Sequence, residues 1–257
     1  MLVLGRLGRD RRLAQRFDSG RRAVDKLLYA EIARRRADPE LDQRDDVFSA
    51  LLLARDEHGE RLTEREVRDE LVTLLLAGHE TTATGLAWTF DLLLHCSERT
   101  LARARSEGDP YLDAVVKESL RIRPVIPGVG RVVRGEPFRL GEYVIPPGVE
   151  INPSIRVIHR RADIYPDPTA FRPERFLGES APDTYSWLPF GGGPRRCLGA
   201  SFAQMEMRLV LRRVLERTAL RAADPAVEKV QFRAITLAPR NGVRVVQERA
   251  PLQLQVV

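Results

Sequence analysis

The chain has 257 residues, 43% hydrophobic and 30% charged, which describes a globular protein with a real core and excludes disordered, collagen-like and membrane-spanning classes. Its net charge of +6 is not evenly spread. Residues 1–36 hold eleven basic against four acidic residues, a surplus of +7, so the rest balances at −1. A solvated helix face explains that segment best. It lacks the aromatic platforms and motifs of a nucleic-acid binder, and no nucleic-acid partner is expected. Two cysteines, Cys96 and Cys197, cannot form a disulfide framework. With no apolar leader after Met1 and no apolar run near the roughly 20 residues a bilayer requires, a cytoplasmic protein without a membrane span is expected.

In chain order, Val24, Leu27, Leu28 and Ile32 recur at helical spacing until Asp38-Pro39 interrupts them. A second helix is expected over 46–55, ended by His58-Gly59. Thr63 and Glu66 form a capping box, and the apolar period from Val67 to Leu93 meets no proline before Pro110. One helix over 63–95, about 48 Å long, is therefore predicted, and its apolar character on several sides suggests a central position. Asp109-Pro110 opens the next helix, with aspartate as cap and proline at the first helical position. It must end before Arg123-Pro124.

Within a Gly/Pro-rich passage over 124–153, residues 138–140 and 143–145 read as short strands, with Pro146-Pro147-Gly148 turning into 149–151. Residues 163–196 read as ordered coil. A last helix is expected over 198–217, then strands near 232–238 and 243–247.

Four features carry chemistry. Cys197 follows Pro189-Phe190-Gly191-Gly192-Gly193-Pro194-Arg195-Arg196 and precedes Leu198-Gly199. A cysteine at a helix start is favoured as thiolate by the helix dipole and free amides. The glycines let backbone approach something bulky, and Arg195 is suited to a carboxylate. A buried structural cysteine behind a loop is the bland alternative. Ala77-Gly78-His79-Glu80-Thr81-Thr82 sets poor helix formers and an acid inside an apolar helix, a local inconsistency typical of functional sites. A zinc-protease motif would need histidine at position 83, where Ala83 stands. Glu118 and Arg121 share a helix face. Arg175, in Phe171-Arg172-Pro173-Glu174-Arg175-Phe176, is expected to reach that pair and complete a buried staple. Gly128-Val129-Gly130 lacks the third glycine of a dinucleotide site, and no phosphate-binding loop or nucleophile elbow exists.

In this order and spacing the four features resemble the cytochrome P450 family of haem-thiolate monooxygenases, from about residue 45 onward. The resemblance implies a mainly α fold, a long central helix plus small β-sheets. It implies haem b, iron protoporphyrin IX, with Cys197 as the iron's thiolate ligand. Ala77, Gly78, Pro189, Phe190, Leu198 and Gly199 would line the cofactor, and Arg131 and Arg195 would bind its propionates. Glu80 and Thr81 match the acid–alcohol pair that relays protons during dioxygen activation. Residues 125–129 and 235–237 correspond to substrate contacts.

The implied reaction inserts one atom of dioxygen into a small hydrophobic organic substrate. Its electrons come from a separate ferredoxin- or flavodoxin-type donor. Members of the family are longer. The resemblance therefore makes this chain a single truncated domain, a basic segment 1–36 followed by a motif-bearing core 37–257. The family's Trp-x-x-x-Arg propionate motif is missing, since neither Trp88 nor Trp187 is followed by arginine four residues on. A non-catalytic haem-binding remnant or scaffold is the alternative expectation.

Overall fold

Local rules account for most helix boundaries in the computed structural model, which describes residues 11–178 and 182–248. Helix α1 (Arg11–Arg36) ends in three arginines, cations that complement the negative end of its dipole. Helix α2 (Val47–Leu53) starts where the Asp46 side chain accepts from Ser49 N. Helix α3 (Glu64–Leu94) is 31 residues long. Its capping box forms as the sequence predicts, Glu66 Oε2 accepting from Thr63 N at 2.8 Å and Thr63 Oγ1 from Glu66 N at 3.2 Å.

Helix α4 (Glu98–Ser106), capped by Ser97, has no counterpart among the predicted elements. Helix α5 (Asp109–Ile122) has Gly108, at φ 73°, at its N-cap. Asp109 is therefore the first helical residue rather than the cap. Helix α6 (Ile155–Ile158) is one turn long. The last helix, α7 (Ala200–Arg217), begins two residues later than predicted, with Gly199 as N-cap.

The strands form four antiparallel pairs among the described residues. Strand β1 (Arg131–Val132) pairs with β4 (Glu150–Ile151), and β2 (Phe138–Leu140) with β3 (Tyr143–Ile145). Strand β5 (Ala219–Ala222) pairs with β8 (Val245–Glu248). The single strand expected over 232–238 is instead a hairpin, β6 (Val230–Arg233) against β7 (Thr236–Pro239). Its two-residue turn holds Ala234 at φ 54°, which the tight connection of twisted strands demands.

The chain divides into two compact units, Met1–Ala77 and Gly78–Val257. In the first, Ile32, Leu52 and Val67 are buried together, and Arg68 pairs with Asp25. In the second, the core joins Leu93 of α3, Ala104 of α4, Leu112, Val115, Val116 and Leu120 of α5, and Met207, Leu211 and Leu215 of α7. Gly85 permits the α3–α7 approach, because a Cβ there would lie 3.2 Å from Met207 Cε.

Helix α3 is core-facing only along part of its length. Trp88 and Leu93 are buried, whereas Leu74, Leu75 and Leu76 are exposed. No helix among the described residues is long and apolar enough to cross a membrane.

Candidate functional site

The most fully satisfied cluster in the second unit lies at Glu118. This carboxylate and Arg121 are both fully buried. Arg121 Nε donates to Glu118 Oε2 at 2.7 Å and its Nη2 to Oε1 at 2.8 Å. Oε1 also accepts from Arg172 N at 2.9 Å and from Arg175 Nε at 3.4 Å. The predicted staple thus exists, one carboxylate between two guanidinium groups. The other donors of Arg121 are used too, its Nη1 meeting the carbonyls of His159 and Pro168, each at 2.8 Å. A buried charge set offsets its desolvation only when every donor finds an acceptor, and here the coil over 159–175 supplies them.

From the staple, contacts run to the cysteine loop. His159 Nδ1 lies 3.1 Å from Arg121 O, and its Nε2 accepts from Leu188 N at 2.8 Å. With Nε2 an acceptor, Nδ1 carries the proton. Burial pushes the His159 pKa down to about 4, so the ring is neutral at neutral pH and this pattern is kept. Tyr165 Oη donates to Ser186 O at 2.9 Å, and Trp187 Nε1 to Lys117 O at 3.1 Å. Three consecutive residues, 186 to 188, are thus each pinned to α5 or to the coil that follows α6. Sequence reasoning missed His159, Tyr165 and Trp187 in this role. Their neighbours in the sequence, such as Arg160 and Arg161 after His159 and Asp167 after Tyr165, give no periodic signal that marks them.

The pinned segment leads into Pro189, which is buried, and Phe190, which packs on the core. Gly191 and Gly193 adopt φ 71° and 67°, values that glycine reaches without strain. Cys197 N donates to Phe190 O at 2.9 Å and closes the loop. The Cys197 thiol is exposed, Leu198 is 94% exposed, and Cβ atoms built at Gly193 and Gly199 would meet nothing within 4 Å. Cys197 stands just ahead of the N-cap of α7 rather than in its first turn.

Arg131, in β1, and Arg195 are exposed, and neither joins an ion pair among the described residues. Gly191 comes near Val129, since a Cβ at this glycine would lie 3.5 Å from Val129 Cγ1, so the cysteine loop meets the passage that leads to Arg131. On α3, Gly78 has open space beside it and Thr82 is buried. Ala77 lies at the end of the first unit and Gly78 at the start of the second. Glu80 Oε1 lies 3.3 Å from Arg233 Nε of β6, a contact that no sequence feature announced. The hairpin carrying Arg233 is tied to α3 by Trp88 Nε1 donating to Leu237 O at 2.8 Å, and to the 124–126 segment by Leu237 N donating to Val125 O at 2.7 Å. The segments 125–129 and 235–237, both expected at the substrate, are therefore adjacent.

Comparisons agree with this architecture. Residues 9–243 match the family model described as Cytochrome P450. The chain is 48% identical over 232 residues to "Putative cytochrome P450 135B1" of Mycobacterium bovis, a match covering 86% of this chain and 48% of that protein. It is also 48% identical over 226 residues to "Putative cytochrome P450 137" of Mycobacterium tuberculosis, covering 86% and 47%. Among solved structures, a retinoic acid-bound cyanobacterial CYP120A1 superposes with a TM-score of 0.81 at 29% identity, over 92% of this chain and 57% of that one. A cytochrome P450, CYP102L1, gives 0.82 at 27%, over 93% and 58%. The chain spans about half the length of the curated relatives it matches.

Proposed function

The chain belongs to the cytochrome P450 family, and on that premise we propose that it carries the haem-thiolate half of a monooxygenase site. Residues 37–257 then form the motif-bearing part of one such domain. The observation that carries the reading is the exposed Cys197 thiol on a loop whose backbone is fixed at both ends.

The residues present fit an iron porphyrin. A single soft sulfur donor is what the iron requires. A Cβ at Gly193, Gly199 or Gly78 would meet nothing within 4 Å, so none of these positions obstructs a flat macrocycle. Arg131 and Arg195, exposed and without carboxylate partners among the described residues, suit propionates. When bound, haem b supplies dioxygen activation and insertion of one oxygen atom into an organic substrate.

The protein's own part is positioning and proton handling. Cys197 offers the thiolate, and the closure of its loop on Phe190 holds the sulfur in one place. The chain from Glu118 through Arg121 and His159 to Leu188 fixes where that loop begins. Glu80 takes protons from solvent, consistent with its partial exposure, and hands them to the Thr81 hydroxyl. Ala77, Gly78, Pro189, Phe190, Leu198 and Gly199 shape the cofactor's surroundings by bulk and by its absence. Electrons come from a ferredoxin- or flavodoxin-type donor, and the substrate is a small hydrophobic molecule admitted near 125–129 and 235–237.

The test is turnover of the haem-loaded chain with such a donor and dioxygen. Thr81→Ala is expected to keep haem content while diverting most reducing equivalents to hydrogen peroxide. Product formation as tightly coupled as in the unmodified chain would remove Thr81 from proton delivery. A second reading is haem binding without turnover. Stoichiometric haem with no product under any donor would establish it.

A further inference from the structure

Behind the cysteine loop, on the side of α5, lies a cleft of about 230 Å³. Its walls are Phe176, Trp187 and Phe190, and its rim carries Lys117, Arg196 and Thr184. The three aromatic rings form a fixed cage. Trp187 meets Phe176 edge-on at 5.7 Å and Phe190 at 6.1 Å, and its indole is locked by the bond to Lys117 O. Edge-to-face pairs of this kind are favourable contacts that hold the rings in place.

The charge pattern is the second observation. Lys117 and Arg196 both line the cleft, and among the described residues no Asp or Glu lines it. Neither cation has an ion-pair or side-chain hydrogen-bond partner among the described residues. Other cations of this unit are paired, Arg121 and Arg175 with Glu118, Arg103 with Glu107 and Glu174, and Arg208 with Asp113. Lys117 is only partly exposed, and its ammonium stands beside apolar rings without a carboxylate partner among the described residues. A guest carrying one negative group on an aromatic body would satisfy both halves of the cleft at once. The volume lies below the roughly 300 Å³ at which drug-sized pockets begin, which restricts the guest to a single ring.

We propose that this cleft binds a single-ring aromatic carboxylate, with the carboxylate against Lys117 and Arg196 and the ring among Phe176, Trp187 and Phe190. The cleft shares Pro189 and Phe190 with the residues proposed to surround the cofactor, and Arg196 immediately precedes Cys197. Binding needs no haem and stands independently of the monooxygenase reading.

The experiment is titration of the unmodified chain with 4-fluorobenzoate, followed by fluorine NMR and by quenching of tryptophan emission. The neutral isostere 4-fluorobenzamide serves as control, together with Lys117→Gln and Arg196→Gln. Saturable binding with a dissociation constant near 1 mM or tighter is expected. The amide and each variant should bind at least about tenfold more weakly. The amide comparison uses the unmodified chain and holds even if a variant folds poorly. Absence of saturable binding, equal affinity for acid and amide, or an acid affinity unchanged in both variants overturns the proposal.

Discussion

Arg121 shows how much a single side chain can be asked to hold. It has no solvent exposure, and it bridges Glu118 to three carbonyls in the coil over 159–170. Truncating it leaves Glu118 buried with only the longer contact from Arg175 and one backbone amide. Arg121→Ala is therefore expected to lower unfolding free energy by about 3–5 kcal/mol, the cost of an uncompensated buried charge. Urea denaturation measures it, and a loss under about 1 kcal/mol would show that the pair is not carrying the coil. Much at this scale is legible in the sequence. Glu-x-x-Arg spacing puts both groups on one helix face, and Arg175 among aromatics points to the same place. What spacing cannot show is where the remaining donors go, because His159, Pro168 and Ala170 meet Arg121 only through the tertiary path of a coil without periodicity. The exposure of Cys197 is equally beyond the sequence, since glycine-flanked cysteines occur both inside and outside cores.

At the scale of elements, success follows the strength of local signals. The capping box, the unbroken apolar period and the late arrival of proline place α3 to within a residue at each end. Pro124 and the turn at Pro146-Pro147-Gly148 do the same for the end of α5 and for β3. Strand β5 escapes detection because Ala219–Ala222 is paired only with β8, more than twenty residues later, and α4 because its nine residues carry a weak apolar set among many charges. The β6–β7 hairpin reads as one strand, since nothing at Ala234-Ile235 resembles the Gly or Asn that usually marks such a turn. Its anchoring is specific. Trp88 of α3 supplies the indole N–H that satisfies Leu237 O, and removing a donor from a buried acceptor costs about 1–3 kcal/mol. Trp88→Phe should therefore accelerate amide exchange across β6 and β7 while α5 stays protected. Unchanged exchange in the hairpin would mean that the Val125 contact alone holds it.

For the molecule as a whole, the two units differ in what they explain. In Met1–Ala77 the basic surplus of residues 1–36 is balanced by the acids of residues 37–77, and many of its cations are engaged in pairs such as Arg34 with Glu31, Arg35 with Asp46 and Arg68 with Asp25, as a solvated face requires. Gly78–Val257 holds the staple, the cysteine loop and the hairpin. The monooxygenase reading proposed for this member of the P450 family comes down to sulfur ligation by Cys197. The direct measurement is the absorption spectrum of the haem-loaded chain after reduction and exposure to carbon monoxide. Ligation by Cys197 predicts the red-shifted Soret band of thiolate-bound haem, lost in Cys197→Ala. A folded, haem-loaded chain without that band, or one that keeps it in Cys197→Ala, would contradict it.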